Sequence, residues 1–474
     1  MAPRRPRPHA TAYERAAPDP RLVSAALDGS RPAAFWLEDV ARRPARSAWG
    51  GSRTTDLLVV GGCYTGLWAA VHAKLRDPGR RVVVLEARRT GWAASGRNGG
   101  FCEASLTHGE ANGRSRWPEE YEALHALGVD NLAGLERDLA DLGIDAELER
   151  TGSLTVAVEP HQVDELAAEP GFLDATAVRR RIDSPLFLGG AFDAHETALV
   201  HPARLAEGLA LAAERLGVEI FEGSPARRLD VDRSRIEVTS ADGVVRAERV
   251  VLATNAFPAL LRRYRRHTVP VFDYVLVTEP LDAEQRAAIG WSGREGLADQ
   301  ATQFHYARPT RDGRILWGGY DAIYPFGGAT NPARYDRRET FERLASHFLA
   351  AFPQLEGIRF THRWAGIIDT STRFAAFLGR AHRDRVVHVA GFTGLGVGAS
   401  RFMARAALDT VDGLDTERTR LRMLRSLPLP FPPEPLASVG INLTRWSLDR
   451  ADHHEGRRNV FLRGLDAVGM GFDS

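Results

Sequence analysis

The 474-residue sequence predicts an α/β fold in which a domain on parallel strands, assembled from three separated stretches, interleaves with an α+β domain on a mixed/antiparallel sheet. Three observations predict it. An apolar strand, a glycine turn, a helix and a second apolar strand follow one another between Leu57 and Leu85, which is a βαβ unit. Strand–helix patterns of the same kind recur near 201–260 and 386–412. Between 271 and 320 the pattern changes to alternating, β-forming residues with a hairpin signal at Asp312-Gly313.

Taken in order, residues 1–20 are rich in Pro and Arg, and no apolar stretch follows them. They predict a disordered tail rather than a secretory signal. Leu57–Val60 is a buried strand, Gly61–Gly66 a turn, and Leu67–Leu75 a helix that stops before Pro78-Gly79. Val82–Leu85 is the next strand, ending on Glu86. Residues 116–148 and 203–216 have leucine spacings of helices, and strands follow at Val218–Glu222, Ile236–Thr239 and Val250–Ala253. VFDYVLVTE (271–279) and the pair QFHYARPT/RILWGGY predict the second sheet, and 335–351 another helix. Val386–Ala390 is a strand whose glycine turn, Gly391–Gly398, opens a long helix. A Pro-rich linker (Leu427–Pro435) and a basic amphipathic tail close the chain, the tail reading as a surface helix or partner contact.

Composition narrows the function classes. Hydrophobic residues are 44% and charged residues 26%, the balance of a globular protein. Lys+Arg (62) and Asp+Glu (61) nearly cancel, so no net field steers the chain to nucleic acid. The longest uncharged run, Leu57–Ala73, is too short and glycine-broken for a membrane span. Two cysteines, Cys63 and Cys102, exclude a disulfide scaffold and a four-cysteine zinc site, and suit a reducing, cytoplasmic location. Asp452-His453-His454-Glu455 lacks metal-ligand spacing and reads as a solvated loop.

The turn reads Gly61-Gly62-Cys63-Tyr64-Thr65-Gly66. A dinucleotide-binding fingerprint wants G-x-G-x-x-G, with glycines for the turn, for approach to a pyrophosphate and for helix–strand packing. Gly61 and Gly66 fit, and Cys63 stands at the middle glycine. Glu86, twenty residues after Gly66, is the acidic residue that accepts hydrogen bonds from a ribose. A tight α/β turn without a nucleotide is the alternative. No second fingerprint is present for a nicotinamide, so electrons are expected to come from a substrate bound by the second domain.

With Gly-Trp-Ala-Ala-Ser-Gly-Arg-Asn-Gly-Gly at 91–100, this constellation resembles the FAD-dependent D-amino-acid oxidase/glycine oxidase superfamily, and most of all its γ-glutamylputrescine-oxidase-like amine oxidoreductases. HPARLAEGLALAAERLGVEIFEG (201–223), VVLATNAF (250–257), GFTGLGVGAS (391–400) and the final GFDS are similar to the same branch. The resemblance implies a Rossmann-like FAD-binding domain over 31–105, 200–260 and 380–415. It implies a substrate domain over 106–199 and 261–379, with a basic tail (1–30) and a C-terminal helical tail (416–474). FAD is implied to be non-covalent, along Gly61, Gly62, Cys63, Thr65 and Gly66. Glu86 and Ala87 would meet the adenosine ribose, Ala226 would lie beside the adenine through its backbone, and Thr254 would follow the strand that closes over the cofactor. Ser95, Gly96, Arg97, Asn98 and Gly99 would wrap the flavin end. Gly394, Leu395, Gly396 and Val397 would present helix N-terminal amides to it.

The implied chemistry is oxidation of a small-molecule amine at its C–N bond by hydride transfer, with dioxygen or another acceptor taking the electrons. Three departures refine it. Cys63 is expected to crowd the pyrophosphate, at about 1–3 kcal/mol. Leu395 replaces a frequent histidine. Trp364-Ala365-Gly366-Ile367-Ile368 carries isoleucine where glycine-oxidase-like members have a carboxylate-clamping arginine, with Arg363 and Arg373 nearby. The last departure favours an amine without an α-carboxylate; an amino-acid or glycine-type oxidase is the alternative, and a flavin-weak protein with a structural or binding role the alternative of another class. Lys74, the only lysine, lies in the first helix and cannot serve the flavin. His305, Tyr306, Tyr320 and Trp364 are candidate catalytic residues, and Tyr306, Trp317 and Tyr320 a candidate aromatic face for a cation. Oligomeric state is left open by the sequence.

Overall fold

Leu57, Leu58, Val59 and Val60 are apolar on both faces of the strand because both faces are covered, as a parallel strand requires. They end strand Gly51–Val60, which is central in an eight-stranded sheet of the computed structural model. The structure describes residues 9–41, 43–232, 235–467 and 469–471. In this first sheet Gly51–Val60 pairs in parallel with Val82–Leu85 and Gly243–Leu252. Glu219–Phe221 and Val386–Ala390 extend it in parallel, and Phe377–Ala381 closes one edge antiparallel. Helices Tyr64–Arg76, Pro202–Arg215 and Gly396–Val411 pack together on one face over a core containing Leu67, Trp68, Leu205, Leu209 and Met403. An antiparallel ribbon, Arg228–Val231 and Ile236–Thr239, branches from Gly243–Leu252.

The second sheet also has eight strands, in the order Phe360–Thr370, Val269–Thr278, Ile315–Gly319, His305–Pro309, Gly296–Asp299, Ser153–Ala157, Gly189–Asp193 and Phe172–Asp174. All its pairings are antiparallel except Gly296–Asp299 with Ser153–Ala157. Helix Arg338–Ala351 covers its outer face, burying Phe341, Leu344 and Phe348 against Phe272, Tyr274 and Trp317. The inner face is turned to the first sheet.

The N-terminal tail differs from expectation, whereas the C-terminal tail is helical as expected. The stretch through residue 30 is not a disordered tail where it is described; residues 1–8, like the end of GFDS, lie outside the described residues. Thr11 and Glu14 form a capping box for helix Ala12–Arg15, and Asp19 with Pro20 starts helix Pro20–Leu27. These caps let Tyr13, Val23 and Ala26 bury against helix Arg338–Ala351, which offsets the ordering entropy.

The C-terminal tail forms helices Leu436–Asp452 and Val460–Ala467, and they are not merely superficial. Asp452, expected in a solvated loop, accepts hydrogen bonds from Thr302 N (2.8 Å) and Gln303 N (2.9 Å). Arg445 pairs with buried Asp321 at 2.8 Å. Among the described residues no helix is long and apolar enough to cross a membrane.

Candidate active site

A cavity of about 1390 Å³ runs from the C-terminal ends of the parallel strands to the inner face of the second sheet. That is where an open α/β sheet places a ligand crevice. Its first wall is the glycine turn. Gly61 has φ +114°, and a Cβ there would lie 2.4 Å from the Ala253 carbonyl oxygen. A Cβ at Gly66 would lie 1.9 Å from the Gly61 oxygen, so helix and strand meet only through hydrogen. Gly62 lies just beneath the cavity wall, its N–H donating to Glu86 Oε2 at 2.7 Å.

Cys63 lines the cavity at the middle position of the turn. Its φ is −104°, extended backbone open to any residue. Its thiol faces the Ser95 hydroxyl and the Ala93 and Ser95 amides, and burial pushes it up to about 12. Burial likewise pushes Cys102 to about 12. Glu86 is 4% exposed at the strand tip. Its Oε1 accepts from Arg88 N (2.8 Å) and Trp92 Nε1 (3.1 Å), and burial raises its carboxyl above the ordinary range. Thr65 and Ala87 complete this end of the lining.

The 91–100 loop is fixed from several sides. Ser95 accepts from Tyr64 N at 3.1 Å. The Asn98 amide donates to Ala94 O and Ser95 O, and its Oδ1 accepts from Gly100 N. Gly96, set back from the cavity, is needed for packing: a Cβ there would meet Gly91 O at 2.3 Å. Arg97 lies over the Tyr335 ring and donates to Trp92 O at 2.9 Å. A Cβ at Gly99 would meet the Tyr306 ring at 2.7 Å.

Opposite, Ala226 and Thr254 line the cavity, and the buried Thr254 Oγ1 has no hydrogen-bond partner among the described residues. Gly394 (φ +97°) leads through Leu395, Gly396 and Val397 into helix Gly396–Val411, whose first-turn amides open onto the cavity. Buried Asp369 holds this turn, accepting from Gly391 N (2.5 Å) and Phe392 N (3.2 Å). Burial pushes its carboxyl up to about 7.

The second-sheet wall sorts the aromatic candidates. Tyr306 pairs with Gly318, and a Cβ at 318 would strike its ring at 2.6 Å. The missing side chain lets Tyr306 lean across one strand and donate to Asp273 Oδ2 at 2.5 Å. Val271, Asp273, Gly366 and Ile368 share this face. Tyr320 also lines the cavity.

His305 does not line it. Alternation turns it to the outer face, 1% exposed, where Nδ1 bonds Asp299 at 2.6 Å and Nε2 bonds His347 at 2.9 Å. Trp317, opposite Ala307, stacks on His305 at 4.9 Å and so leaves the expected aromatic face. Trp364 is 1% exposed and off the cavity; its indole donates to Arg97 O at 2.9 Å, which makes it a support of the 91–100 loop.

Three carboxylates escaped the sequence reading. Asp273 and Asp369 each interrupt an apolar strand, VFDYVLV and WAGIIDT, and a lone charge in such a strand was the available signal. Burial pushes Asp273 up to about 6. Glu103 shares the cavity side of strand Phe101–Glu103 with Phe101, while Cys102 points away. Protein surrounds Glu103 and raises its carboxyl by burial, yet its surface is open to the cavity interior.

These features fit a bound dinucleotide. Glu86 stands at the strand tip, a turn whose first and last positions admit no Cβ leads away from it, Thr254 offers an unpaired hydroxyl, and helix amides face the far end. Residues 56–410 match the family described as DAO, FAD dependent oxidoreductase. The γ-glutamylputrescine oxidoreductase of Escherichia coli is 31% identical over 80% of this chain and 88% of its own length. A probable oxidoreductase of Haemophilus influenzae is 27% identical over 79% of this chain and 86% of its own. The glycine oxidase structure from Geobacillus kaustophilus shares the fold, with a TM-score of 0.65 at 20% identity over 77% of this chain and 96% of that one. The chain therefore belongs to the DAO family of FAD dependent oxidoreductases, and its cofactor is FAD.

Proposed function

We propose that the enzyme oxidises the C–N bond of a small amine lacking an α-carboxylate. The γ-glutamylputrescine oxidoreductase among its relatives supports an amine. FAD, when bound, accepts the hydride from the carbon bearing nitrogen. Glu86 and the 61–66 turn would hold its adenosine and pyrophosphate, and Ser95–Gly99 with the 394–397 amides its flavin end. The chain's own task is to orient the amine and leave its nitrogen uncharged, because the nitrogen lone pair stabilises the carbon losing hydride. The resulting imine hydrolyses to a carbonyl compound, and dioxygen is the final acceptor, giving hydrogen peroxide. No lysine takes part: Lys74, in helix Tyr64–Arg76, bonds Arg80 O through Nζ at 3.1 Å, away from the cavity.

One observation carries the reading. Ile368 lies beside Val271 on the cavity face, so the wall that would clamp a carboxylate is apolar and carries the acid Asp273. Arg363 is paired with Asp336, and Arg373 donates to Ala376 O and Ser426 O; neither lines the cavity. Anaerobic bleaching of the flavin across a panel of amines and α-amino acids tests the proposal. Bleaching by amines is expected, and bleaching by amino acids alone would overturn it.

A further inference from the structure

Among the described residues Asp273 has no cationic partner; it is half-buried on the cavity wall, and the protein around it raises its carboxyl. Tyr306 donates to one of its oxygens, and the Gly319 amide also faces the carboxylate. A carboxylate removed from water without a counter-charge is costly, so a cation arriving through the cavity relieves that cost.

The wall beyond Asp273 has a different character. Gly319 leads into Tyr320 and Asp321, which touch helix Leu436–Asp452 through Asp449 (3.5 Å) and Arg445 (2.8 Å). On the other side of the hairpin, Asp452 holds the amides of Thr302 and Gln303. The C-terminal helix is therefore bonded to both flanks of the hairpin that carries Tyr306. Towards the cavity it presents Ile441 and Leu448, seven residues apart on one helical face. Helix Val460–Ala467 adds Phe461 and Leu465. Its neighbouring polar groups are engaged: Arg445 with Asp321, and the Thr444 hydroxyl with Gly440 O. The family match ends at residue 410, so this apolar wall lies outside it.

We infer that the substrate is an amine with an apolar alkyl or aryl substituent, its nitrogen received by Asp273 and its substituent lodged against the C-terminal helices. The inference rests on the amine-oxidising reading above and names its substrate class. An arriving ammonium passes one proton to the Asp273 carboxylate, breaking N–H and forming O–H, and the neutral amine then gives up its α-hydride. Tyr306 is a positioning residue that fixes Asp273. A second cation or a carboxylate at the far end of the substrate would have to lose its water against Ile441, Leu448, Phe461 and Leu465.

The test uses the FAD-loaded enzyme with two readouts. The first is anaerobic flavin reduction by hexylamine, phenethylamine and putrescine. The second is perturbation of the flavin spectrum by tert-octylamine, which has no α-hydrogen and cannot be oxidised. Half-saturation by hexylamine is expected at a concentration about tenfold below that for putrescine. Asp273→Asn should weaken tert-octylamine binding about tenfold or more at unchanged FAD content. Ile441→Asp should weaken hexylamine about tenfold while changing putrescine less than about threefold, with Phe461→Ser as the parallel variant should the first unfold. Equal preference for putrescine, or unchanged tert-octylamine binding in Asp273→Asn, would overturn the inference. Binding through Asp273 without reduction by any amine would instead remove the proposed reaction and leave the amine site standing.

Discussion

Gly66 meets Gly61 with no room for a methyl group, since a Cβ at 66 would lie 1.9 Å from the Gly61 carbonyl oxygen. The obstacle is backbone, which cannot rotate away as a side chain can. Gly66→Ala must push helix Tyr64–Arg76 off the strand, at a cost of about 1–3 kcal/mol or more. Melting temperature should fall and FAD affinity drop about tenfold or beyond by flavin titration. Gly50→Ala is the control, because its new Cβ meets nothing within 4 Å. Equal FAD affinity in both variants would contradict this account.

Cys63 behaves differently from its two glycine neighbours. With φ at −104° and the thiol turned to Ser95, the residue already suits its turn. Cys63→Gly should leave FAD affinity within about threefold while lowering stability by about 0.5–1 kcal/mol through the greater freedom of the unfolded chain. With burial holding the Cys102 thiol near 12, it should not be alkylated by iodoacetamide at pH 8 until the protein is unfolded, whereas half-buried Cys63 opens onto the cavity. Mass spectrometry before and after denaturation reads this directly.

Tyr13 ties the N-terminal segment to the second sheet. Its hydroxyl donates to Asp299 Oδ2 at 2.7 Å, and its ring stacks on His347 at 4.9 Å. Tyr13→Phe removes one buried hydrogen bond to a carboxylate and should cost about 1–3 kcal/mol in chemical denaturation. Removing residues 1–18 also strips the stacking and should cost more. A truncated protein with unchanged melting would show that the segment is dispensable.

The parts of this molecule written as periodic patterns could be read in advance, and the parts written as single residues could not. The strand at Leu57–Val60, the turn with Glu86 and the helix after Gly394 combine period with glycine placement, so their positions follow from local rules. His305 and Trp317 needed the hairpin register: a shift of one residue decides which side chains meet the cavity, and the sequence does not state it. Asp273 meets Tyr306 only because Gly318, on the intervening strand of the sheet, has no side chain and lets that ring cross over. The tails misled for a similar reason. The basic tail reads as a surface helix or partner contact, whereas burial of Asp321 gives Arg445 an inward partner. The caps at Thr11 and Asp19 gain their worth only from helix Arg338–Ala351, more than three hundred residues later, against which their helices pack.

Asp369 should leave a signature in the pH dependence of stability. Burial raises its carboxyl from 3.8 to about 7, so the folded protein binds this proton more tightly than the unfolded chain does. Its contribution to stability is therefore fully present below the unfolded value and is lost as pH rises through about 7. Asp369→Asn cannot ionise, while its side-chain oxygen can still accept from Gly391 N. The apo-protein carrying this substitution should gain melting temperature relative to wild type as pH rises from 5 to 8. Because the same carboxyl fixes the turn before helix Gly396–Val411, the variant should also bind FAD about threefold to tenfold more weakly once the Phe392 amide loses its acceptor. Parallel melting curves for the two proteins across that range would mean that Asp369 is ionised at no cost and that the turn is held by other groups.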